Sequence, residues 1–215
     1  MAKRCKTAIL ISGSGTNLQA FIDAVDGGQL DLDLTVVFSN NPEAFGLQRA
    51  EKAGITTSCI QHSDYPDRAS FDQAVIADLD RFEPDLLILA GFMRILSKAF
   101  VAHYAGKILN IHPALLPLYP GLNTHQRVLN AGDEWHGSTV HFVTDELDAG
   151  PRILQGRLAV IPGETAEELQ KRVQAVEHLI YPQAASLVGS GKIRFRDGHS
   201  WVDGNITEEP VVQTY

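Results

Sequence analysis

The sequence is poor in cysteine, has no long hydrophobic run and carries no excess of positive charge. Its 215 residues include only two cysteines, Cys5 and Cys59. Neither has the spacing of a metal-ligand or redox pair, which excludes a small secreted fold held together by disulfides. The longest apolar run, residues 86–93, is too short to span a bilayer. These absences predict a cytoplasmic protein with no membrane partner.

The charge balance argues against a nucleic-acid partner. The chain has 18 Lys and Arg against 26 Asp and Glu, which gives a formal net charge of −8. Nucleic-acid binding relies on clustered basic side chains that displace counterions from phosphates, and here the basic residues are dispersed among acidic ones. If the protein binds an anion, local geometry must provide the site.

Short apolar runs that alternate with longer helical stretches predict the fold class. This pattern is typical of βαβ units, so we expect an α/β fold. Its sheet is mostly parallel, twisted and flanked by helices on both faces, with a Rossmann-like N-terminal half. Residues 138–143 and 153–160 are predicted to add an antiparallel hairpin, and residues 164–187 to form a long helix with Thr165 as its N-cap. Residues 204–215 are expected to form a loose tail.

A Gly/Ser-rich stretch at residues 12–17 follows the first predicted strand and precedes the first helix, where backbone amides can bind an anion. A dinucleotide fingerprint needs Gly where Leu18 stands, and an acidic residue where the second strand ends in Ser-Asn-Asn at 39–41. No Lys follows the second glycine, which excludes a P-loop. The stretch suits a single phosphate, or it is a turn that lets strand and helix pack.

Asn110 and His112 stand two residues apart in a predicted strand that Pro113 ends. Side chains at such positions project to the same side of a strand, and the C-terminal strand ends of an α/β sheet form its binding crevice. An amide donor beside a titratable imidazole can stabilise an oxyanion and move protons, as acyl or formyl transfer requires. The alternative is a buried histidine that bonds to a backbone carbonyl.

Three other polar residues each have two interpretations. Asp148 can reach toward His112 and hold its charged form, or it can simply form the Asp-Ala-Gly-Pro turn. Gln174 and Glu177 are neighbours on the predicted long helix, near the rim of its apolar stripe, and a solvated helix face explains them equally well.

The sequence contains neither a HExxH spacing nor a Gly-x-Ser-x-Gly elbow, so no metal site and no covalent serine mechanism is expected.

Four segments of the chain carry a combined signal: ISGSGTNL at 11–18, LAGFMRIL at 89–96, NIHPALLP at 110–117 and HFVTDELD at 141–148. Together they resemble the phosphoribosylglycinamide formyltransferase family. The resemblance covers residues 8–203, and the order and spacing of the segments make it specific. Two positions depart from the family pattern, because Ala114 replaces a Ser and Ala149 replaces a Gly that is common there.

This resemblance implies transfer of a formyl group from 10-formyltetrahydrofolate, a co-substrate, to the amine of 5-phosphoribosylglycinamide in purine biosynthesis. The catalytic residues implied by position are Asn110, His112 and Asp148, with His112 as proton donor and electrophile. The implied acceptor contacts are Gly15, Thr16, Asn17, Gln174 and Glu177. The implied folate contacts are Arg68, Leu89, Met93, Arg94, Ile95, Leu96, Asn110 and Val143. We expect a single domain with a mononucleotide-binding half at 1–107 and a catalytic and folate-binding half at 108–203.

Three rival functions remain. A 10-formyltetrahydrofolate deformylase and a methionyl-tRNA formyltransferase resemble the same catalytic core, but both carry additional domains for which a chain of this length is expected to have no room. A non-enzymatic mononucleotide-binding module would use the Gly/Ser-rich stretch without needing an amide, an imidazole and a carboxylate together. The expected partners are therefore small molecules only, and the expected state is a monomer or a weak homodimer.

Overall fold

The computed structural model describes residues 4–215, which form two compact units that divide between Leu109 and Asn110. The predicted N-terminal half, 1–107, ends two residues before this division, and its first three residues lie outside the described part of the chain. The fifth strand, Ile108–His112, spans the division. No helix among the described residues is both long and apolar enough to cross a membrane.

The first unit alternates strands and helices as the sequence predicts. Its sheet is wholly parallel, with β1 between β2 and β4 and with β3 outside β2. All four residues of β4, Leu-Leu-Ile-Leu, are buried, which is the pattern of a parallel strand covered on both faces. The elements are β1 (Cys5–Ile11), α1 (Thr16–Asp26), β2 (Leu32–Ser39), α2 (Phe45–Lys52), β3 (Thr57–Cys59), α3 (Arg68–Leu79), β4 (Leu86–Leu89) and α4 (Lys98–His103).

Helix α3 shows why its sequence forms a helix at this place. The carboxylate of Asp67, the N-cap residue, accepts a hydrogen bond from the Ser70 amide and so satisfies one of the unpaired N–H groups of the first turn. Phe71, Val75 and Leu79 recur at helical spacing and are buried. After Leu79 the chain tightens into a 3₁₀ helix at Asp80–Phe82.

The second unit begins inside β5 (Ile108–His112) and contains the predicted hairpin. Strands β6 and β7 pair antiparallel, from Trp135 opposite Ala159 to His141 opposite Arg152. The fold class, a mostly parallel sheet with antiparallel strands added toward the C-terminus, is thus confirmed. The other elements are α5 (Thr124–Ala131), β6 (Trp135–Phe142), β7 (Arg152–Ala159), α6 (Ala166–Gly189), β8 (Ile193–Arg196), β9 (His199–Val202), β10 (Asn205–Thr207) and β11 (Val211–Thr214).

The long helix α6 begins as the sequence predicts. The Thr165 hydroxyl accepts the Glu168 amide N–H, and the Glu168 carboxylate accepts the Thr165 amide N–H, which completes a capping box. Buried residues at helical spacing include Leu169, Val173 and Ile180. These contacts fix both the start of α6 and the face that it packs against the sheet of the same unit.

The expectation of a loose tail at residues 204–215 is wrong. Strand β10 joins β8 and β9 in a small antiparallel sheet, and β11 pairs parallel with β7 from Val211 opposite Leu154 to Thr214 opposite Arg157. The sequence of β11, Val-Val-Gln-Thr, has no apolar alternation. Val211 and Val212 are both exposed, so burial does not explain the strand. The edge of β7 supplies the backbone hydrogen bonds instead, and that edge is a property of the fold.

Candidate active site

The imidazole of His112 and the carboxylate of Asp148 lie together in the second unit. His112 Nδ1 is 3.4 Å from Asp148 Oδ2, and only 7% and 8% of the two side chains is exposed. The other ring nitrogen, Nε2, donates to the carbonyl oxygen of Tyr119 at 2.9 Å. Each ring nitrogen of His112 thus faces an oxygen, a carboxylate on one side and a carbonyl on the other.

Backbone geometry holds Asp148 in place. Its φ of 53° lies in the left-handed region, which Asp tolerates better than most residues. Its Oδ2 also accepts the amide N–H of Gly121 at 2.9 Å. Two residues on, a Cβ at Gly150 would collide with the Phe142 carbonyl. The turn therefore depends on Gly150, and the Ala that departs from the family pattern at 149 is exposed beside it.

Asn110 is oriented by a residue that the sequence analysis did not single out. His141 Nδ1 lies 2.9 Å from the Phe142 carbonyl oxygen, to which it donates, so its Nε2 can accept the Asn110 amide at 3.2 Å. Burial lowers the pKa of His141, which keeps the ring neutral and able to accept. The second N–H of the Asn110 amide remains to serve another acceptor. The sequence offers one signal for His141. It lies in the predicted strand at 138–143, two residues after Thr139, so the two polar side chains share one face of that strand.

Glu177 is buried, so the interpretation as a solvated helix face is wrong for this residue. Its Oε1 lies 3.1 Å from the Ser138 hydroxyl, and the same hydroxyl lies 2.7 Å from the carbonyl oxygen of His112. Helix α6 is thereby joined through Ser138 to the end of β5. Gln174, one turn earlier, is half-buried.

The predicted phosphate loop has the expected place between β1 and α1. Gly15 is the N-cap with φ 69°, and Thr16 and Asn17 begin the helix, whose first turn has no acidic residue. A Cβ on Gly15 would lie 2.7 Å from the Cα of Gly46, and the Gly46 amide donates to the Gly13 carbonyl at 3.0 Å. Glycine is therefore required at 15 both by its φ and by this close approach.

Arg49 also lies near this loop, although no pattern in the sequence pointed to it. Its Nε donates to the Ser14 carbonyl oxygen at 2.8 Å. Its guanidinium carbon lies 4.9 Å from the ring centroid of Phe45. A positive charge thus lies beside the Gly/Ser-rich stretch although no basic cluster occurs in the sequence there.

The predicted folate segment, 93–96, presents apolar side chains at the surface of the first unit. Met93 is 80% exposed and Ile95 is 65% exposed, so both side chains are accessible from solvent. Arg94 packs its guanidinium over the Phe71 ring, with its carbon 5.1 Å from the centroid. Arg68 is exposed at the start of α3, Leu89 is buried at the end of β4, and Leu96 is half-buried. Val143, in the second unit, is half-buried directly after β6.

Two other histidines of the second unit bond to each other. His125 Nδ1 and His136 Nε2 are 3.0 Å apart, so one ring donates and the other accepts. The accepting nitrogen carries no proton, so the two rings cannot both be positively charged while the bond exists. Burial, reinforced by the charge of His125, lowers the pKa of His136 to about 4. Among residues 4–215, no group of three or more His, Cys, Asp or Glu has an arrangement that could hold a metal ion.

Comparison with known proteins relates this geometry to one group of enzymes. Residues 5–185 match the formyl transferase family. The chain is 50% identical over 196 residues to phosphoribosylglycinamide formyltransferase of Escherichia coli K12, which covers 91% of this chain and 92% of that protein. It is 42% identical over 199 residues to the protein of the same name from Haemophilus influenzae, over 93% and 94% of the two chains. The structure of phosphoribosylglycinamide formyltransferase from Coxiella burnetii, in complex with CHES, aligns with a TM-score of 0.93 and 45% identity over 98% of this chain and 99% of that one.

Proposed function

The chain belongs to the formyl transferase family, and from that premise we propose that it transfers the formyl group of 10-formyltetrahydrofolate to the amine of 5-phosphoribosylglycinamide in purine biosynthesis. One observation carries the proposal. An amide, an imidazole and a carboxylate, from Asn110, His112 and Asp148, occupy the end of β5 and the turn after β6. A module that only bound a nucleotide would have no use for this set.

The chemical step needs a stabilised oxyanion and a route for protons. The neutral amine attacks the formyl carbon, and the carbonyl oxygen gains negative charge as the tetrahedral intermediate forms. The free N–H of Asn110 and the charged ring of His112 stabilise that oxygen. His112 Nε2 already donates to the Tyr119 carbonyl, so this N–H suits an oxygen acceptor, and the formyl oxygen would take the place of Tyr119. As the intermediate collapses, the bond from carbon to N10 breaks and N10 gains a proton.

Asp148 acts on this step through charge. Its carboxylate is 3.4 Å from His112 Nδ1, and in a buried site a negative charge at that distance favours the imidazolium. The same carboxylate can help carry the proton that the attacking amine loses toward N10. Asp148 therefore serves the proton transfer, while Asn110 and His112 serve the oxyanion.

In the first unit, the phosphate of the acceptor is assigned to the start of α1. The amides of Gly15, Thr16 and Asn17 stand at a helix N-terminus, where the backbone dipoles favour an anion. Folate is assigned to the exposed surface of residues 93–96 and to Leu89, with Arg68 toward its acidic tail. In the second unit, Val143 is assigned to the folate as apolar wall, and Gln174 and Glu177 to the acceptor.

A coupled assay tests the proposal. Loss of 10-formyltetrahydrofolate is followed with and without 5-phosphoribosylglycinamide, and we expect loss only when the amine is present. Loss that proceeds equally without the amine would identify a hydrolase of the same donor instead. The cytoplasmic location and the monomeric or weakly dimeric state remain predictions, which cell fractionation and sedimentation of the purified chain can check.

A further inference from the structure

Ser12 lies between the phosphate loop, residues 13–17, and the folate segment, residues 93–96. We propose that Ser12 is a positioning residue that couples phosphate binding at the loop to folate binding at the segment. The inference rests on the proposed function, since it takes the two ligand classes from there. In this role Ser12 acts through its neighbours and does not itself need to contact either ligand.

Ser12 bonds to two separate segments of the first unit, the one that follows β4 and the one that follows β2. Its hydroxyl accepts the amide N–H of Met93 at 2.8 Å and donates to Asn40 Oδ1 at 2.6 Å. Its own amide donates to the Gly91 carbonyl at 3.2 Å, and its carbonyl accepts from Asn41 Nδ2 at 3.4 Å. Because the hydroxyl has a single hydrogen, which Asn40 takes, its lone pairs are held toward Met93.

Buried groups fix this arrangement on the side of β2. Asn40 is almost completely buried, and its amide nitrogen lies 3.5 Å from His62 Nδ1. Asn41 is held in turn by the Ser39 hydroxyl, which accepts the Asn41 amide N–H at 3.0 Å. The two partners of Ser12 that follow β2 are therefore not free to move with it.

The far end of the folate segment has an independent anchor. The buried carboxylate of Asp72, on α3, accepts the amide N–H of Ser97 at 2.6 Å. Ser97 is the N-cap of α4, and its hydroxyl accepts the Phe100 amide. The segment is thus fixed at one end through Ser12 and at the other through Asp72, but only the Ser12 end adjoins the phosphate loop.

This connectivity predicts cooperative binding within the first unit. Ser12 precedes the loop directly, so a phosphate bound at residues 13–17 reduces the motion that remains to Ser12 and to Met93, and folate then loses less conformational entropy on binding Met93. The effect is reciprocal, so folate strengthens phosphate binding by the same factor. Neutral hydrogen bonds transmit this coupling, so we expect each ligand to tighten the binding of the other by a factor of about 3 to 10.

The test measures the dissociation constant of 5-formyltetrahydrofolate, a stable folate probe, with and without saturating 5-phosphoribosylglycinamide. In the wild-type chain, the acceptor should tighten folate binding about 3- to 10-fold. Ser12→Ala should bind both ligands with the tightening reduced to less than about 2-fold. Asp72→Asn is the matched control, because it perturbs the other end of the segment: it should weaken folate binding and keep the tightening.

The outcomes separate this inference from the proposed function. A wild-type chain that binds no folate contradicts the proposed function. A wild-type chain that binds both ligands independently, or a Ser12→Ala variant that keeps the full tightening, overturns the role of Ser12. If Ser12→Ala does not fold, the wild-type chain still decides: inorganic phosphate should shift the amide NMR signal of Met93 more than that of Ser97, and equal or absent shifts overturn the coupling.

Discussion

The two units contribute to the proposed reaction by different physical means. In the first unit, the assigned groups are backbone amides at Gly15 to Asn17 and exposed apolar side chains around Met93. In the second, they are the buried, charge-bearing side chains of His112 and Asp148. The difference teaches that substitutions in the first unit act through backbone conformation and affinity, whereas those in the second act on the rate of the chemical step.

The largest effect is expected from Asp148→Asn. Asn tolerates the left-handed backbone at this position and keeps an oxygen for the Gly121 amide, but it removes the negative charge beside His112. We expect kcat to fall by roughly two to four orders of magnitude, with little change in ligand binding or thermal stability. Steady-state kinetics and a thermal melt check this. A variant that unfolds would support a purely turn-forming Asp148, and near-normal turnover would remove it from the mechanism.

Gly15→Val should show the opposite signature in the first unit. A β-branched residue is strained at φ 69°, and its Cβ would approach the Gly46 backbone to 2.7 Å. We expect the free energy of unfolding to fall by about 2–4 kcal/mol and KM for the acceptor to rise more than KM for the folate. Urea denaturation and kinetics measure both.

Gly13→Ala is the control for this change, since a Cβ there meets nothing within 4 Å. Its free energy of unfolding should stay within about 1 kcal/mol of wild type. Equal destabilisation by the two substitutions would show that the close contact with Gly46 is not what makes position 15 special.

Acid should destabilise the second unit through His136. Its folded pKa of about 4 lies below the unfolded value, so the unfolded state binds more protons as pH falls. The stability is complete above about pH 6.5 and is lost between there and pH 4, by about 3 kcal/mol. Urea midpoints across this range measure the slope. His136→Gln should flatten it, whereas the exposed control His199→Gln should not, and identical slopes in all three proteins would contradict the assignment.

The smallest effect is expected from Arg68→Ala. Arg68 is exposed, so the attraction proposed between its charge and the acidic tail of folate would be screened by salt. We expect folate affinity to fall about 2- to 5-fold at low ionic strength and hardly at all at high ionic strength. A titration of folate affinity against salt tests this, and an unchanged salt response in the variant would exclude Arg68 from the site.

Sequence patterns predicted those features that local chemistry determines. The parallel strands, the β6 to β7 hairpin and the Thr165 capping box follow from hydrophobic period and turn residues. Helix α5 was not predicted because its N-cap residue, Asn123, has a left-handed backbone and makes no side-chain cap hydrogen bond. Strand β11 was not predicted because the edge of β7 with which it pairs exists only in the folded chain. The support of Asn110 by His141 and of Met93 by Ser12 likewise joins residues far apart in sequence, which no local pattern encodes.

The most direct test of the role proposed for the second unit is a double-mutant cycle on kcat with His112→Ala and Asp148→Asn. If the two side chains act as one unit, the loss caused by Asp148→Asn should shrink from at least about 100-fold in the wild-type background to less than about 3-fold when His112 is absent. The same fold-loss in both backgrounds would show that the two residues act independently, and would contradict the proposed role of Asp148 in holding the charge of His112.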